Sequence, residues 1–158
     1  MTENTQTINT LQDLLDYNAG KFTSGEIQLK KSLSEWINKA ASLQLKAILK
    51  KYYDFVELHV QKMESFFEEE KILSSSLHNR IMQAFIEEVN ESVSKCADAE
   101  IKDACILAGL QAINHLKISE YGTAAAFANT LEMEKQAAIF HEAEINEKQI
   151  DDRLSQLA

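Results

Sequence analysis

Residues 8–41, INTLQDLLDYNAGKFTSGEIQLKKSLSEWINKAA, decide the fold. Apart from one gap of seven, their apolar positions recur at alternating steps of three and four residues: Ile8, Leu11, Leu15, Ala19, Phe22, Leu29, Leu33, Trp36 and Ala40. This spacing is typical of an amphipathic helix that buries one face. Gly20 and Gly25 each cost about 1 kcal/mol relative to alanine, so a kink or break between residues 19 and 25 is the alternative. We favour one helix, roughly 50 Å long at about 1.5 Å per residue.

The remaining chain repeats this pattern. Its spacing predicts four more helices, the second to the fifth of the chain, at about 43–68, 77–95, 98–131 and 133–157. The third, 77–95, is a short connector after the linker Ser74-Ser75-Ser76. The 98–131 segment is apolar on most sides, so we expect it to be the most buried helix. No stretch has the alternation of a strand. The sequence therefore predicts an all-α bundle of four long helices and one connecting helix.

Composition and charge restrict the classes of function. The chain has 158 residues, 45% of them apolar, and no proline, which favours a single globular domain over residues 1–158. Its net charge of −9 argues against a nucleic-acid binder, because such proteins cluster Lys and Arg on phosphates. No apolar segment is long enough to form a membrane-spanning helix, and residues 1–5 do not resemble a signal peptide. We expect a cytoplasmic protein that binds neither nucleic acid nor membrane.

Cysteine and histidine patterns give little sign of catalysis. Cys96 and Cys105 belong to no CxxC or zinc-type spacing, so two reduced, packed cysteines are expected. His115 is in line with apolar residues of the fourth helix, and His59 lies on the second; a hydrogen-bonded core histidine is the favoured interpretation of each. The sequence has no HExxH, GxSxG or Gly-rich phosphate motif, so hydrolase and nucleotide-binding functions lack support.

Several acidic residues occupy positions where the helical stripe predicts an apolar side chain or lie beside it. They are Glu26 on the first helix, Asp54 and Glu57 on the second, and Glu144 and Glu147 on the fifth. A buried carboxylate is unfavourable unless it is paired or bound to a cation. Carboxylates that project inward from facing helices are the ligands of di-iron and di-manganese centres. The alternative for each residue is a solvated or salt-bridged carboxylate.

Residues 103–123, DACILAGLQAINHLKISEYGT, resemble the signature helix of the YciF/YciE-like stress proteins, a ferritin-like family. The Tyr-Gly-Thr at 121–123 is the most specific piece. Residues 85–91, FIEEVNE, resemble the family's connecting helix, residues 147–158 its closing segment, and residues 25–29, GEIQL, its first-helix pattern. The resemblance implies a ferritin-like up-down four-helix bundle with an additional short crossover helix. Its first, second, fourth and fifth helices would surround a di-metal site.

The resemblance implies, residue by residue, which positions of this chain correspond to the metal ligands of the family, and some of these positions hold a different residue type. These are Glu26, then Asp54 and Glu57 in place of a Glu-x-x-His pair, then Glu147 and Asp151, with Glu144 as an extra candidate. On the fourth helix the family's Glu-His-Tyr-Glu is replaced by Asn114-His115-Leu116-Lys117, so both carboxylates are missing. An ammonium group at Lys117 facing the site would repel a divalent cation and pair with the remaining carboxylates.

Two arrangements follow for the site. In the first, an internal salt-bridge network around Lys117 replaces the metal. In the second, the fourth helix is rotated so that His115 points inward, and a mononuclear site of Glu26, His115, Glu147 and one second-helix acid remains.

These observations predict a ferritin-like stress-response protein with an interaction or protective role and a degenerate carboxylate site, metal-free or mononuclear, rather than an enzyme. The alternative is a di-iron or di-manganese oxidase, peroxidase or metal-storage protein that uses Glu26, Asp54, Glu57, Glu144 and Glu147 as ligands of iron or manganese. A plain helical scaffold without a site is the third possibility.

The apolar stripes also predict how the helices pack and associate. We expect one hydrophobic core that contains Phe22, Leu29, Leu33, Trp36, Met63, Ile118 and Phe140. The small residues Gly122 to Ala126 allow close approach of helices. Because ferritin-like relatives commonly pair through helix faces, we expect a homodimer.

Overall fold

The computed structural model describes residues 7–70 and 78–158, and these form five helices. The helices are α1 (Leu11–Lys39), α2 (Leu43–Glu70), α3 (Arg80–Ser94), α4 (Ala99–Thr130) and α5 (Glu134–Leu157). The described residues contain no strand, and the predicted all-α fold is confirmed. The predicted linker Ser74-Ser75-Ser76 lies outside the described residues. No helix in the described ranges is long and apolar enough to cross a membrane.

The four long helices enclose a common interior. α1 packs on α2 and α4, and α5 packs on α4 and α2, so each long helix has two long neighbours. The shorter α3 packs outside this ring, against α1 and α4, as the predicted crossover helix. Residues 40–42 connect α1 to α2 and residues 131–133 connect α4 to α5, and such short connections make consecutive helices antiparallel.

Helix α1 continues through both glycines without a break. Gly25 is required by a close approach, because a Cβ atom there would lie 2.5 Å from Asn79 Nδ2. Asn79 is the N-cap of α3: its Oδ1 accepts from the Met82 amide at 2.9 Å, while its Nδ2 donates to the Lys21 carbonyl at 2.9 Å. One side chain thus starts α3 and fixes it against α1.

The apolar interior divides into two clusters rather than one core. One cluster contains Leu29, Leu33 and Trp36, and the other contains Phe22, Met63, Phe140 and their neighbours. Every long helix contributes to both clusters and has polar residues at the point where it passes from one to the other: Glu26 in α1, His59 in α2, Asn114 and Lys117 in α4, and Glu147 in α5. The predicted single core is therefore wrong, and Ile118 is only half-buried.

Helix α4 is rotated relative to the predicted apolar stripe. Ile101, Ala104 and Ala108 are exposed, so α4 is not the most buried helix. Its buried face carries Ile106, Leu110, Ile113, Asn114, Lys117 and Tyr121. A helix that is apolar on most sides has no single stripe to specify its rotation, which explains the error.

The small-residue run on α4 serves packing within the bundle. Ala124 and Ala125 are buried, and a Cβ atom at Gly122 would lie 2.9 Å from Glu144 Oε2 on α5. The run therefore lets α4 and α5 approach closely inside the bundle.

A buried carboxylate and lysine cluster

Two carboxylates and one ammonium group meet at the centre of the bundle. Lys117 Nζ lies 2.7 Å from Glu26 Oε1 and 2.8 Å from Glu147 Oε2. All three side chains are at most 2% exposed. They come from α4, α1 and α5, so the ion pairs join three helices at the level between the two apolar clusters.

His59 brings the remaining long helix, α2, into the cluster. Its Nδ1 lies 2.8 Å from Glu26 Oε2 and 3.7 Å from Glu147 Oε2, and its Nε2 lies 3.1 Å from Asn146 Oδ1. The imidazole is 3% exposed. Both ring nitrogens therefore have polar partners, and each of the four long helices contributes at least one polar side chain to the centre.

Three further side chains donate hydrogen bonds to the carboxylates. The Tyr121 hydroxyl donates to Glu26 Oε2 at 2.6 Å, and the Tyr52 hydroxyl donates to Glu147 Oε1 at 2.5 Å. Asn114 Nδ2 donates to Glu147 Oε1 at 3.0 Å and to the Glu147 carbonyl at 2.9 Å. Buried carboxylates need such donors because they have lost water. The Lys117 ammonium group also lies 4.6 Å from the centroid of the Tyr52 ring, a cation–π contact.

The surroundings favour the ionised forms of Glu26 and Lys117. Burial alone would raise the pKa of Glu26, but attraction by Lys117 and the contact with His59 outweigh it and lower the pKa to about 2. Burial alone would lower the pKa of Lys117, but Glu147 and Glu26 outweigh it and raise the pKa. Burial and the adjacent carboxylates raise the pKa of both Tyr52 and Tyr121 well above the usual range. The tyrosines therefore remain hydrogen-bond donors.

The cluster does not fit the di-metal centre that the ferritin-like fold implies. Among the described residues, Glu26, His59 and Glu147 present ligand atoms within 4.8 Å of one another. However, the Lys117 ammonium group contacts an oxygen of each carboxylate, and this group of ligand atoms includes no carboxylate from α4. A divalent cation among these ligands would be next to a buried positive charge, so the structure offers no place for a pair of metal ions.

The sequence predictions for individual residues are met unevenly. Glu26, Glu147, Asn114 and Lys117 come together as the internal salt-bridge arrangement expects. The other candidates lie away from the centre. Asp54 is exposed, and Glu57 forms an ion pair with Lys30 at 3.2 Å. Glu144 forms an ion pair with Lys148 at 3.2 Å. His115 Nε2 lies 2.8 Å from Asp151 Oδ1.

The outward position of His115 has a geometric cause. The side chain is 64% exposed, so the arrangement with an inward His115 is not the one in this structure. Successive residues of an α-helix are about 100° apart, which places His115 roughly 200° around α4 from Lys117. Only one of the two can face the centre, and the ion pairs with Glu26 and Glu147 belong to Lys117.

Three members of the cluster, His59, Tyr52 and Tyr121, were not among the predicted site residues. The expectation of a hydrogen-bonded core histidine is confirmed for His59 and wrong for the exposed His115. The signal for His59 was present, because it continues the apolar stripe of α2 through Tyr52, Val56 and Met63, whereas Asp54 and Glu57 lie beside that stripe. The carry-over by resemblance selected the two acids instead. The two tyrosines look like ordinary core residues, and only their hydroxyl contacts distinguish them.

A cavity reaches the cluster from the surface between α2 and α5. Its volume is about 280 Å³, and its lining includes His59, Tyr121, Met63, Ile139 and Asn146. Asn146, whose Oδ1 is the partner of His59 Nε2, thus lies on the cavity wall.

Known proteins are similar to this chain in sequence and in fold. The protein YciF of Escherichia coli K12 is 26% identical over 152 residues, covering 96% of this chain and 92% of that protein. The crystal structure of the E. coli stress protein YciF superposes with a TM-score of 0.89, at 25% identity and 95% coverage of both chains. A structure described as YcfI from Rhodopseudomonas palustris superposes with a TM-score of 0.93, at 24% identity and 99% coverage of both chains.

The family described as "Domain of unknown function (DUF892)" matches residues 10–158, nearly the whole chain. The predicted resemblance to YciF-like proteins is therefore confirmed, and the chain belongs to the DUF892 family.

Proposed function

We propose that this protein is a non-catalytic stress-response bundle in which Lys117 replaces the metal of a ferritin-like site. The observation that carries the proposal is the position of Lys117 Nζ, 2.7 Å from Glu26 and 2.8 Å from Glu147. The stress role rests on the description of E. coli YciF as a stress protein and on the family that the two chains share. The expected role is interaction or protection rather than turnover.

The state of the central groups supports a structural role for the cluster. The raised pKa of Lys117 keeps its amine protonated, so it is neither a nucleophile nor a base at neutral pH. The lowered pKa of Glu26 keeps that carboxylate ionised, so it is a poor general base. Both are held in ion pairs and hydrogen bonds that join the long helices and help to specify one arrangement of the bundle.

One observation favours a second candidate, a metal-dependent oxidase, peroxidase or storage protein. The ligand atoms of Glu26, His59 and Glu147 lie close enough together to share one cation. If the Lys117 side chain moved out of the cluster, these three could hold a single iron or manganese ion, and hard oxygen donors with one imidazole suit both metals. This candidate requires Lys117 to be displaced from two ion pairs.

Metal titration of the unmutated protein and of the double variant Asn114→Glu/Lys117→Glu separates the two candidates. Without metal, the variant has two added carboxylates beside Glu26 and Glu147. It should be less stable at neutral pH and recover partly on acidification. Fe(II) or Mn(II) at a hundredfold excess over Kd should stabilise it by about 2.7 kcal/mol. Thermal or urea unfolding with and without metal measures the shift.

The matched control is Lys95→Glu/Asn129→Glu, which exchanges the same residue types at exposed positions. This control and the unmutated protein should shift much less with metal than the double variant. A metal-induced stabilisation of the unmutated chain as large as that of the variant would refute the proposal and favour the metal-dependent candidate. A double variant that responds to neither metal nor pH would also contradict it, because the central positions should respond to both.

We also propose that the protein is a cytoplasmic homodimer without nucleic-acid partners. The acidic net charge of −9 supports the last point. The homodimer is proposed because ferritin-like relatives commonly pair through helix faces. It does not rest on the small-residue run of α4, whose buried alanines pack inside the bundle. Light scattering at micromolar concentration should give twice the 17.9 kDa of one chain, and a value equal to one chain would remove this part of the proposal.

A further inference from the structure

The two cysteines of the chain lie side by side, far from the central cluster. Cys105 Sγ lies 3.3 Å from Cys96 Sγ. Cys96 is in the connection between α3 and α4, and Cys105 is in the second turn of α4. These are the chain's only cysteines, and both are free and half-buried. Their sequence spacing matches no redox motif, so the fold alone brings them together.

We propose that Cys96 and Cys105 form a reversible intramolecular disulfide when the protein meets hydrogen peroxide. This modification is independent of the central cluster and of the function proposed above.

The local backbone permits the bond. A disulfide needs its sulfur atoms about 2.05 Å apart, so the two must approach by roughly 1.3 Å. Cys96 follows Lys95, the C-cap of α3, and precedes Asp98, the N-cap of α4, so it belongs to neither helix. The Cys96 thiol lies 3.2 Å from the Ser92 carbonyl, which it can leave at the modest cost of a weak S–H hydrogen bond. A connecting segment can make this movement while Cys105 stays fixed in α4.

The chemistry balances with one molecule of peroxide. One cysteine, as its thiolate, attacks a peroxide oxygen; the O–O bond breaks, and a sulfenic acid and water form. The second cysteine, as its thiolate, attacks the sulfenic sulfur and expels the oxygen as a second water. Two thiols are oxidised by two electrons, and peroxide is reduced to two waters. The 3.3 Å separation presents the second sulfur to the first before a competing thiol or a second peroxide arrives.

The bond would stabilise one end of the bundle. Asp103, two residues before Cys105, accepts from the amides of Ala41 and Ser42 at 2.9 and 2.8 Å, so it ties α4 to the connection between α1 and α2. A disulfide would fix the α3–α4 connection to the same turn of α4. We therefore expect the oxidised protein to have a higher melting temperature than the reduced protein.

The test uses the unmutated protein at micromolar concentration, treated with hydrogen peroxide at about pH 8.5, where thiolates are available. The contact with Cys96 raises the pKa of the Cys105 thiol, which makes an alkaline buffer useful. Titratable thiols should fall from two per chain to none, and the intact mass should fall by about 2 Da. Dithiothreitol should restore both thiols. The single variant Cys105→Ser cannot close the bond, so its remaining thiol should gain about 16 Da per added oxygen and show no loss of 2 Da.

Three results would overturn the proposal. Disulfide-linked dimers on a non-reducing gel would show that the cysteines pair between chains. A mass increase of about 16 Da per added oxygen, with no loss of 2 Da, would show over-oxidation without closure. Two thiols that persist while Cys105→Ser reacts would show that the pair does not close in the folded protein.

Discussion

Replacing Lys117 by methionine tests the central ion pairs most directly. Methionine keeps much of the length and apolar stem of lysine and removes only the charged end. The variant leaves Glu26 and Glu147 facing each other without their common partner. Because both carboxylates remain fully buried, the loss of the ammonium group should destabilise the fold through repulsion and not through a cavity.

The expected magnitude follows from the distances. The ligand oxygens of Glu26 and Glu147 lie within 4.8 Å of each other, where two negative charges repel by about 3.5 kcal/mol at an effective dielectric constant of 20. Protonating one carboxyl relieves the repulsion, and from an ordinary pKa of 4.5 this costs about 3.4 kcal/mol at pH 7. Both routes give a loss of about 3 kcal/mol, within the range for a broken buried ion pair.

The pH dependence identifies the cause. In the variant, repulsion raises the pKa of one carboxyl above its unfolded value, so stability is lost as pH rises above about 4.5. The difference in unfolding free energy between variant and unmutated protein should therefore shrink from about 3 kcal/mol at pH 7 to about 1 kcal/mol at pH 5. Urea unfolding followed by circular dichroism at the two pH values measures this difference.

Two further variants make the test specific. Lys117→Met/Glu147→Gln removes the repulsion and should recover about 2 kcal/mol of the loss. Lys30→Met removes a lysine from the more exposed pair with Glu57 and should destabilise the fold much less than Lys117→Met does. The reasoning would be refuted if Lys117→Met unfolded within about 0.5 kcal/mol of the unmutated protein. It would also be refuted if the double variant were less stable than Lys117→Met.

Two other predictions concern packing and titration. Leu33→Ala and Phe140→Ala should each cost about 2 to 5 kcal/mol in denaturant unfolding, because both side chains are fully buried. They lie in different apolar clusters, so their losses should add in the double variant, and non-additivity above about 0.5 kcal/mol would contradict the division into two clusters. Burial and the charge of Glu26 raise the pKa of Glu120 to about 7. Stability should therefore fall as pH rises from about 4.5 to 7, and Glu120→Gln should be about 1 to 3 kcal/mol more stable than the unmutated protein at pH 8 but not at pH 4. Equal pH profiles of unfolding for the two proteins would contradict this assignment.

The inward carboxylates illustrate how far sequence reasoning reached. Glu26 was predictable because it interrupts a regular apolar stripe between Phe22 and Leu29, and the stripe of α1 has one unambiguous face. Glu147 followed from the same pattern in α5. Asp54 and Glu57 were poor candidates on the same criterion, because His59 occupies the stripe of α2 and they lie beside it. The periodicity was more informative there than the carry-over from the family.

The sequence by itself determined the five helices, the missing fourth-helix carboxylates and the family, because periodicity, the absence of proline and local motifs are properties of the chain alone. Only the tertiary structure decided which face of α4 is buried. That helix is apolar on most sides, and its rotation is fixed by the ion pairs of Lys117 with two other helices. It also decided that His59 joins the cluster, that the interior divides in two, and that Cys96 meets Cys105. Each of these depends on distances between residues that are remote or unpatterned in sequence, which no local periodicity encodes.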